Sequence, residues 1–225
     1  MEIRLNTCDL TYRLLTTGNC SYTLTMDGSP ESTPRFDFAF KLAFSHLAIK
    51  TKPKGYSGCG RHSSASFDTS HPLEVKRVLE LIKDFADLDP WDLAGQLNQA
   101  GLLGPKPGED LSKLVNLSSK GLKEWAIAYY ELNGIDDPES FHVLERNSKF
   151  NYREVEIENL AHNLNESYLN PIKILAYQLL LRNQTLMPPL ICRKHGWELY
   201  EGYHRLAAHK AEGLQHVSCI VIGTR

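Results

Sequence analysis

Residues 188–206 read Pro188-Pro189-Leu190-Ile191-Cys192-Arg193-Lys194-His195-Gly196-Trp197-Glu198-Leu199-Tyr200-Glu201-Gly202-Tyr203-His204-Arg205-Leu206, and the order of signals in them decides the fold of the last third of the chain. Two prolines end a turn, and Leu190 to Arg193 reads as a strand. His195-Gly196 supplies a reversal, because glycine tolerates the positive φ of tight turns, and Trp197 to Tyr200 is the returning strand. At Gly202 that strand turns straight into a helix, which Leu206 to Glu212 continue and Gly213 closes. Val217 to Ile222 is a final buried strand. Upstream, Arg153 to Ile157 alternates as a half-buried strand with Val155 and Ile157 inward. Asn170-Pro171 caps and starts a helix whose inward face is Ile172, Leu175, Ala176, Leu179 and Leu180.

The junction from Tyr200 to Arg205 carries the chemistry. A strand that turns through a glycine into a helix directs backbone N–H groups and the positive end of the helix dipole outward, an arrangement suited to an anion. His204 and Arg205 add side-chain donors in the first helical turn, and an arginine fork suits phosphate oxygens. The competing reading is a capped turn whose arginine pairs with a surface carboxylate.

Taken in order, the strand, the Asn-Pro helix, Pro-Pro-Leu-Ile-Cys, the hairpin ending in Glu201-Gly202-Tyr203-His204-Arg205, the Gly-closed helix and the apolar strand resemble the ParB/sulfiredoxin superfamily over about residues 150–222. The resemblance implies a small α/β domain that binds a nucleotide with the glycine turn against its phosphates. Sulfiredoxins place a catalytic cysteine after the motif glycine; Tyr203 stands there, which argues against peroxiredoxin repair. DNA-partitioning members carry a Gly-Glu-Arg-Arg type motif, where this chain has Gly202-Tyr203-His204-Arg205. The nearest branch, with Asp-Gly-x-His-Arg, includes ATP- or ADP-dependent kinases of free amino acids, and Glu201 replaces its aspartate. Lys173 matches a nucleotide-contacting lysine of the sulfiredoxin branch, while Ala176 and Leu180 replace polar residues of the family pattern. Those kinases place a carboxylate base after the first strand, where this chain offers Asn163 and, three residues on, Glu166.

What the resemblance implies is therefore phosphoryl transfer, which requires positioning and charge neutralisation, usually with Mg²⁺. Glu201 holds the metal or the nucleophile, Glu166 is the candidate base, and Gly202, Tyr203, His204, Arg205 and Lys173 bind the nucleotide, ATP or ADP, with CTP as a further option. His204 serves both catalysis and binding. The acceptor is a small hydroxyl-bearing molecule. The alternatives are a ParB-like DNA- or RNA-binding protein or nuclease, and a non-catalytic adaptor.

The rest of the chain supplies no recognised family. Phe36, Phe38, Phe40, Leu42 and Phe44 alternate as in a one-sided strand, and Ser21 to Met26 reads as a strand entering a turn at Asp27-Gly28. Lys50 to His62 reads as a basic, glycine-rich loop; Lys50, Lys52, Lys54 and Arg61 are candidate nucleic-acid contacts. Ser70-His71-Pro72, Asp89-Pro90, Ser118-Ser119 and Asp137-Pro138 each mark the start of a helix. The first of these helices has Val75, Val78, Leu79, Ile82, Phe85 and Ala86 on one face, and the third has Leu122, Trp125, Ala126 and Tyr129.

These features predict an α+β protein, with residues 1–145 forming a region that is β-rich and then helical, and residues 146–225 forming the ParB/sulfiredoxin-like domain. With 25 Lys+Arg against 27 Asp+Glu in 225 residues, the chain is not basic enough for a whole-molecule nucleic-acid field. The absence of an apolar run near the ~20 residues of a membrane span, and of a signal-like N-terminus, predicts a cytoplasmic protein. Five scattered cysteines predict reduced thiols, with Cys192 and Cys219 packed in apolar strands. Cys59 and His62, with Cys8 and Cys20, have only one close pair and make a poor zinc site.

Overall fold

The structure, a computed structural model, describes residues 3–7, 10–16, 21–27, 32–47, 54–59, 62–68, 72–103, 110–132, 138–147, 149–165 and 169–223. It is α+β and divides between Leu102 and Leu103 into two compact units, each with its own sheet.

In the first unit, β1 (Ile3–Thr7), β2 (Leu10–Thr16) and β3 (Ser21–Asp27) form an antiparallel meander, and α1 (Ser32–Leu47) follows. The hairpin of β4 (Lys54–Cys59) and β5 (His62–Asp68) then adds to the sheet through β5, giving the order β1-β2-β3-β5-β4, antiparallel throughout. α2 (Pro72–Asp87) packs on α1, and α3 (Pro90–Gln99) follows. The inward face read from the sequence is the observed one: Val75, Val78, Leu79, Ile82, Phe85 and Ala86 are all buried. α3 starts where its cap predicts, with Asp89 accepting the N–H groups of Trp91 at 2.8 Å and Asp92 at 3.1 Å.

Two expectations for this unit are corrected. The alternating Phe36 to Phe44 segment is helix α1, not a strand. A residue pattern repeating every second position contains every i, i+4 pair, so it satisfies a helix as well as a strand. The small residues between the aromatics decide: Ala39 and Ala43 are buried beside Leu42, while Lys41 is exposed, and Phe40 packs at a tilt on Phe44 with ring centroids 4.4 Å apart. The basic loop is the second correction, since Lys54–Cys59 is strand β4 and His62 opens β5. Lys50, Lys52 and Arg61 lie outside the described residues, as does the Gly28 turn.

In the second unit a 3₁₀ turn (Leu111–Asn116) leads to α4 (Ser119–Leu132) and α5 (Pro138–Arg146). Then come β6 (Lys149–Glu156), the short α6 (Ile157–Leu160), α7 (Pro171–Arg182), β7 (Leu190–Arg193), β8 (Leu199–Glu201), α8 (Tyr203–Ala211) and β9 (His216–Gly223). The sheet order is β6-β9-β7-β8, with β9 parallel to β7 and the other pairs antiparallel. Both faces are covered, which is why β7 and β9 are continuous apolar runs without alternation. Ile191, Ile220 and Ile222 point to a core made with Leu114, Leu122, Ala126, Tyr130 and Leu144. Leu190, Cys192, Cys219 and Val221 point to the other core, with Leu160 and Leu206.

This packing moves the expected boundary at residues 145/146 to 102/103, because the helical segment grouped with the N-terminal region supplies half of the second sheet's cover. Two hydrogen bonds fix α4 in place: the Ser119 hydroxyl accepts the Phe150 N–H at 2.7 Å, and the Tyr130 hydroxyl donates to the Tyr200 carbonyl at 2.8 Å. α7 and α8 run in the same direction. Their starts are joined by Asn170 and His204, and their ends by Glu212, which accepts from Gln178 at 2.6 Å and from both Nε and Nη2 of Arg182. The fragment 103–225 is therefore expected to unfold in one cooperative denaturant transition, whereas 146–225, with Phe150, Ile191, Ile220 and Ile222 uncovered, loses that transition. Circular dichroism against urea reads both.

Candidate functional site

The turn from β8 into α8 is built around Gly202, whose φ of +106° lies in the left-handed region that favours glycine. A Cβ at this position would run into the Leu190 side chain. No side chain caps α8, so its first turn is left to other partners. Tyr203 is partly exposed and donates its hydroxyl to the Leu199 carbonyl.

Arg205 is only 1% exposed. Its guanidinium is ion-paired with Glu201, donates Nη1 to the Pro188 carbonyl at 2.7 Å, and sits over the Tyr129 ring, 5.4 Å from its centroid. Burial opposes the charge, but Glu201 first, and Tyr129 and Tyr177 after it, hold the guanidinium protonated beyond its ordinary range. Of the two readings weighed from the sequence, this is the paired arginine, except that the pair is internal. Arg205 organises the turn from beneath, and Glu201 is engaged with it.

His204 carries the geometry of the site. Its Nε2 accepts the backbone N–H of Asn170 at 3.0 Å, and Asn170 in turn accepts the N–H groups of Ile172 at 3.0 Å and Lys173 at 3.3 Å with its own side chain. An imidazole that accepts at Nε2 is neutral and carries its proton on Nδ1. Burial first, then the charges of Lys173 and Arg205, push its pKa down to about 4. One side chain thus joins the N-terminal ends of α7 and α8, and Lys173 brings a positive charge to the same place.

Other expected residues are placed as follows. Asn163 is a latch and not a base: its Nδ2 donates to the carbonyls of Leu160 and Trp197, both at 2.9 Å, and its Oδ1 accepts the Leu199 N–H at 3.0 Å. These bonds hold the hairpin where Gly196 and Trp197 both have positive φ, 71° and 50°. Glu166 lies outside the described residues. Cys192 and Cys219 are buried, and the Cys219 thiol is pushed far up by its hydrogen bond with Cys192 and by burial, so it is packing rather than a nucleophile. Two residues were not read from the sequence, Tyr177 and His209, whose Nδ1 lies 2.8 Å from the Arg205 carbonyl, and Tyr129 was read only as part of a helix's apolar face. Tyr177 stands one helical turn beyond Lys173 and was open to an i, i+4 argument; the periodicity of α4 turns Tyr129 inward, but no local signal ties it to Arg205.

Two outcomes follow. Glu201→Ala leaves Arg205 buried without its carboxylate, and is expected to cost about 3–5 kcal/mol of stability by urea denaturation. Since His204 is neutral when folded and has an ordinary pKa of 6.5, the unfolded chain binds the extra proton first. Its contribution to stability is present above pH 6.5, falls as the pH drops toward about 4, and falls no further below that. His204→Gln flattens this part of the stability profile. No family model, curated protein or solved structure matches the chain.

Proposed function

We propose that the second unit is a nucleotide-binding domain of the ParB/sulfiredoxin type that carries out phosphoryl transfer from ATP or ADP to a small hydroxyl-bearing acceptor. One observation carries the reading: the N-terminal ends of α7 and α8 meet across the bond between His204 and Asn170, with Lys173 beside them. Two positive dipole ends and an ammonium in one place suit a polyphosphate. The first turn of α8 has no side-chain cap, Tyr203 offers an aromatic edge, and neutral His204 keeps its Nδ1 proton for donation. Arg205 acts by holding the turn rather than by touching the ligand. Glu201 is the single carboxylate of the turn and is paired with Arg205, so Mg²⁺ comes with the nucleotide's own phosphates rather than to a protein cage.

A second reading, a nucleotide-binding adaptor without turnover, is favoured by that same engagement of Glu201 and by Ala176 and Leu180, which present no polar group to a ligand. No helix among the described residues is long and apolar enough to cross a membrane. Calorimetric titration with ATP, ADP and CTP plus Mg²⁺ tests the proposal. Lys173→Ala is expected to weaken binding about 10- to 100-fold, the equivalent of one charge-assisted contact. Phosphate release in the presence of small hydroxyl compounds supports phosphoryl transfer; binding without release supports the adaptor; no binding of any of the three nucleotides overturns both.

A further inference from the structure

A second basic feature lies away from the Gly202 turn. Arg146, Arg193, His142, Val143 and Asn147 line a cleft of about 300 Å³. β7 and β8 are antiparallel with Ile191 opposite Glu201, so Arg193, at the far end of β7, lies at the hairpin end and not at the turn.

The usual roles for these arginines are already filled by others. A basic residue in the last turn of a helix commonly complements the dipole. At the end of α5, however, Lys123 does this, donating Nζ to the Glu145 carbonyl and to the Asn147 carbonyl at 3.0 Å. The Asn147 amide closes the helix by donating Nδ2 to the Val143 carbonyl at 2.7 Å. The acids here are also engaged. Glu145 lies 3.5 Å from His142, and Glu198 accepts the Tyr200 hydroxyl at 3.0 Å. Among the described residues no carboxylate is within ion-pair distance of Arg146 or Arg193. The Arg193 guanidinium lies close enough to the Tyr200 hydroxyl to favour its ionised form, and its five donors are largely unspent.

We propose that this cleft binds the oxyanion head of a small ligand, a carboxylate or a phosphate, with Arg146 and Arg193 forking onto its oxygens and the Val143 side taking a short apolar body. Two arginines on one opening suit bidentate recognition of such a group. The volume sits at the low end of small-molecule sites, which suits a head group with a few carbons and not a whole nucleotide.

The test is a titration of the isotope-labelled full chain, followed by nuclear magnetic resonance at the arginine Nε–Hε signals, with inorganic phosphate and separately with succinate. Saturable shifts of the Arg146 and Arg193 signals are expected, with at least tenfold weaker binding in Arg146→Gln and in Arg193→Gln. Lys173→Ala leaves these shifts unchanged, so this proposal and the nucleotide reading fail separately. A response to phosphate alone assigns a phosphate ligand, and a response to succinate alone assigns a carboxylate. Shifts that do not saturate at millimolar ligand, or a midpoint unmoved when both arginines are replaced in a variant that keeps the wild-type circular dichroism, overturn the proposal.

Discussion

A guanidinium removed from water must find its partners inside the protein, and Arg205 finds them on four sides: Glu201 at the end of β8, the Pro188 carbonyl before β7, the Tyr129 ring on α4, and Tyr177 on α7. A buried charge left without such partners costs several kcal/mol, roughly the order of a small domain's whole net stability. The four elements must therefore arrive together. This ties the course of the chain at Gly202 to a helix that begins at Ser119, and it explains why the second unit extends well upstream of the strand and helix signals that announce it.

Around that charge the polar groups divide into those that hold the fold and those that face outward. Asn163 spends its amide on the hairpin, Glu212 clamps the ends of α7 and α8, and Arg205 and Glu201 neutralise each other. His204 belongs to both groups, since it joins two helices through Nε2 while its ring lies next to Lys173. A motif read as a set of ligand contacts is thus in part a set of internal ties, and in the proposed reading the ligand meets the start of α8 and Lys173 rather than the arginine.

Much of the second unit was legible because each element carries its own punctuation. Asn170-Pro171 caps α7 as its sequence predicts, Gly202 marks the turn, Gly213 follows α8 with positive φ, and the unbroken apolar runs of β7 and β9 fit a sheet covered on both faces. Where reading failed, the signal was degenerate or distant. Phe36 to Phe44 satisfies two periods at once, and only the packing of Ala39 and Ala43 against the rest of the first unit selects the helix. The boundary at residues 145/146 followed a change of texture, but texture does not record that Tyr130 reaches the Tyr200 carbonyl. The ion pair of Arg205 was weighed as a surface contact, because burial is a property of the assembled core and not of six residues.

The co-directional packing of α7 and α8 has an electrostatic consequence of its own. Two helices side by side, with starts together and ends together, place like poles next to like poles, and their macrodipoles repel. At the carbonyl ends Arg182 cancels the Glu212 carboxylate that clamps the two helices, and Lys210 in the last turn of α8 adds the compensating positive charge. At the opposite pole, Lys173 adds to the positive potential instead of relieving it, and His204 can tie the helices together there only as an uncharged ring. The pair therefore brings its two amide poles together at the Gly202 end, where both helices favour negative charge at once.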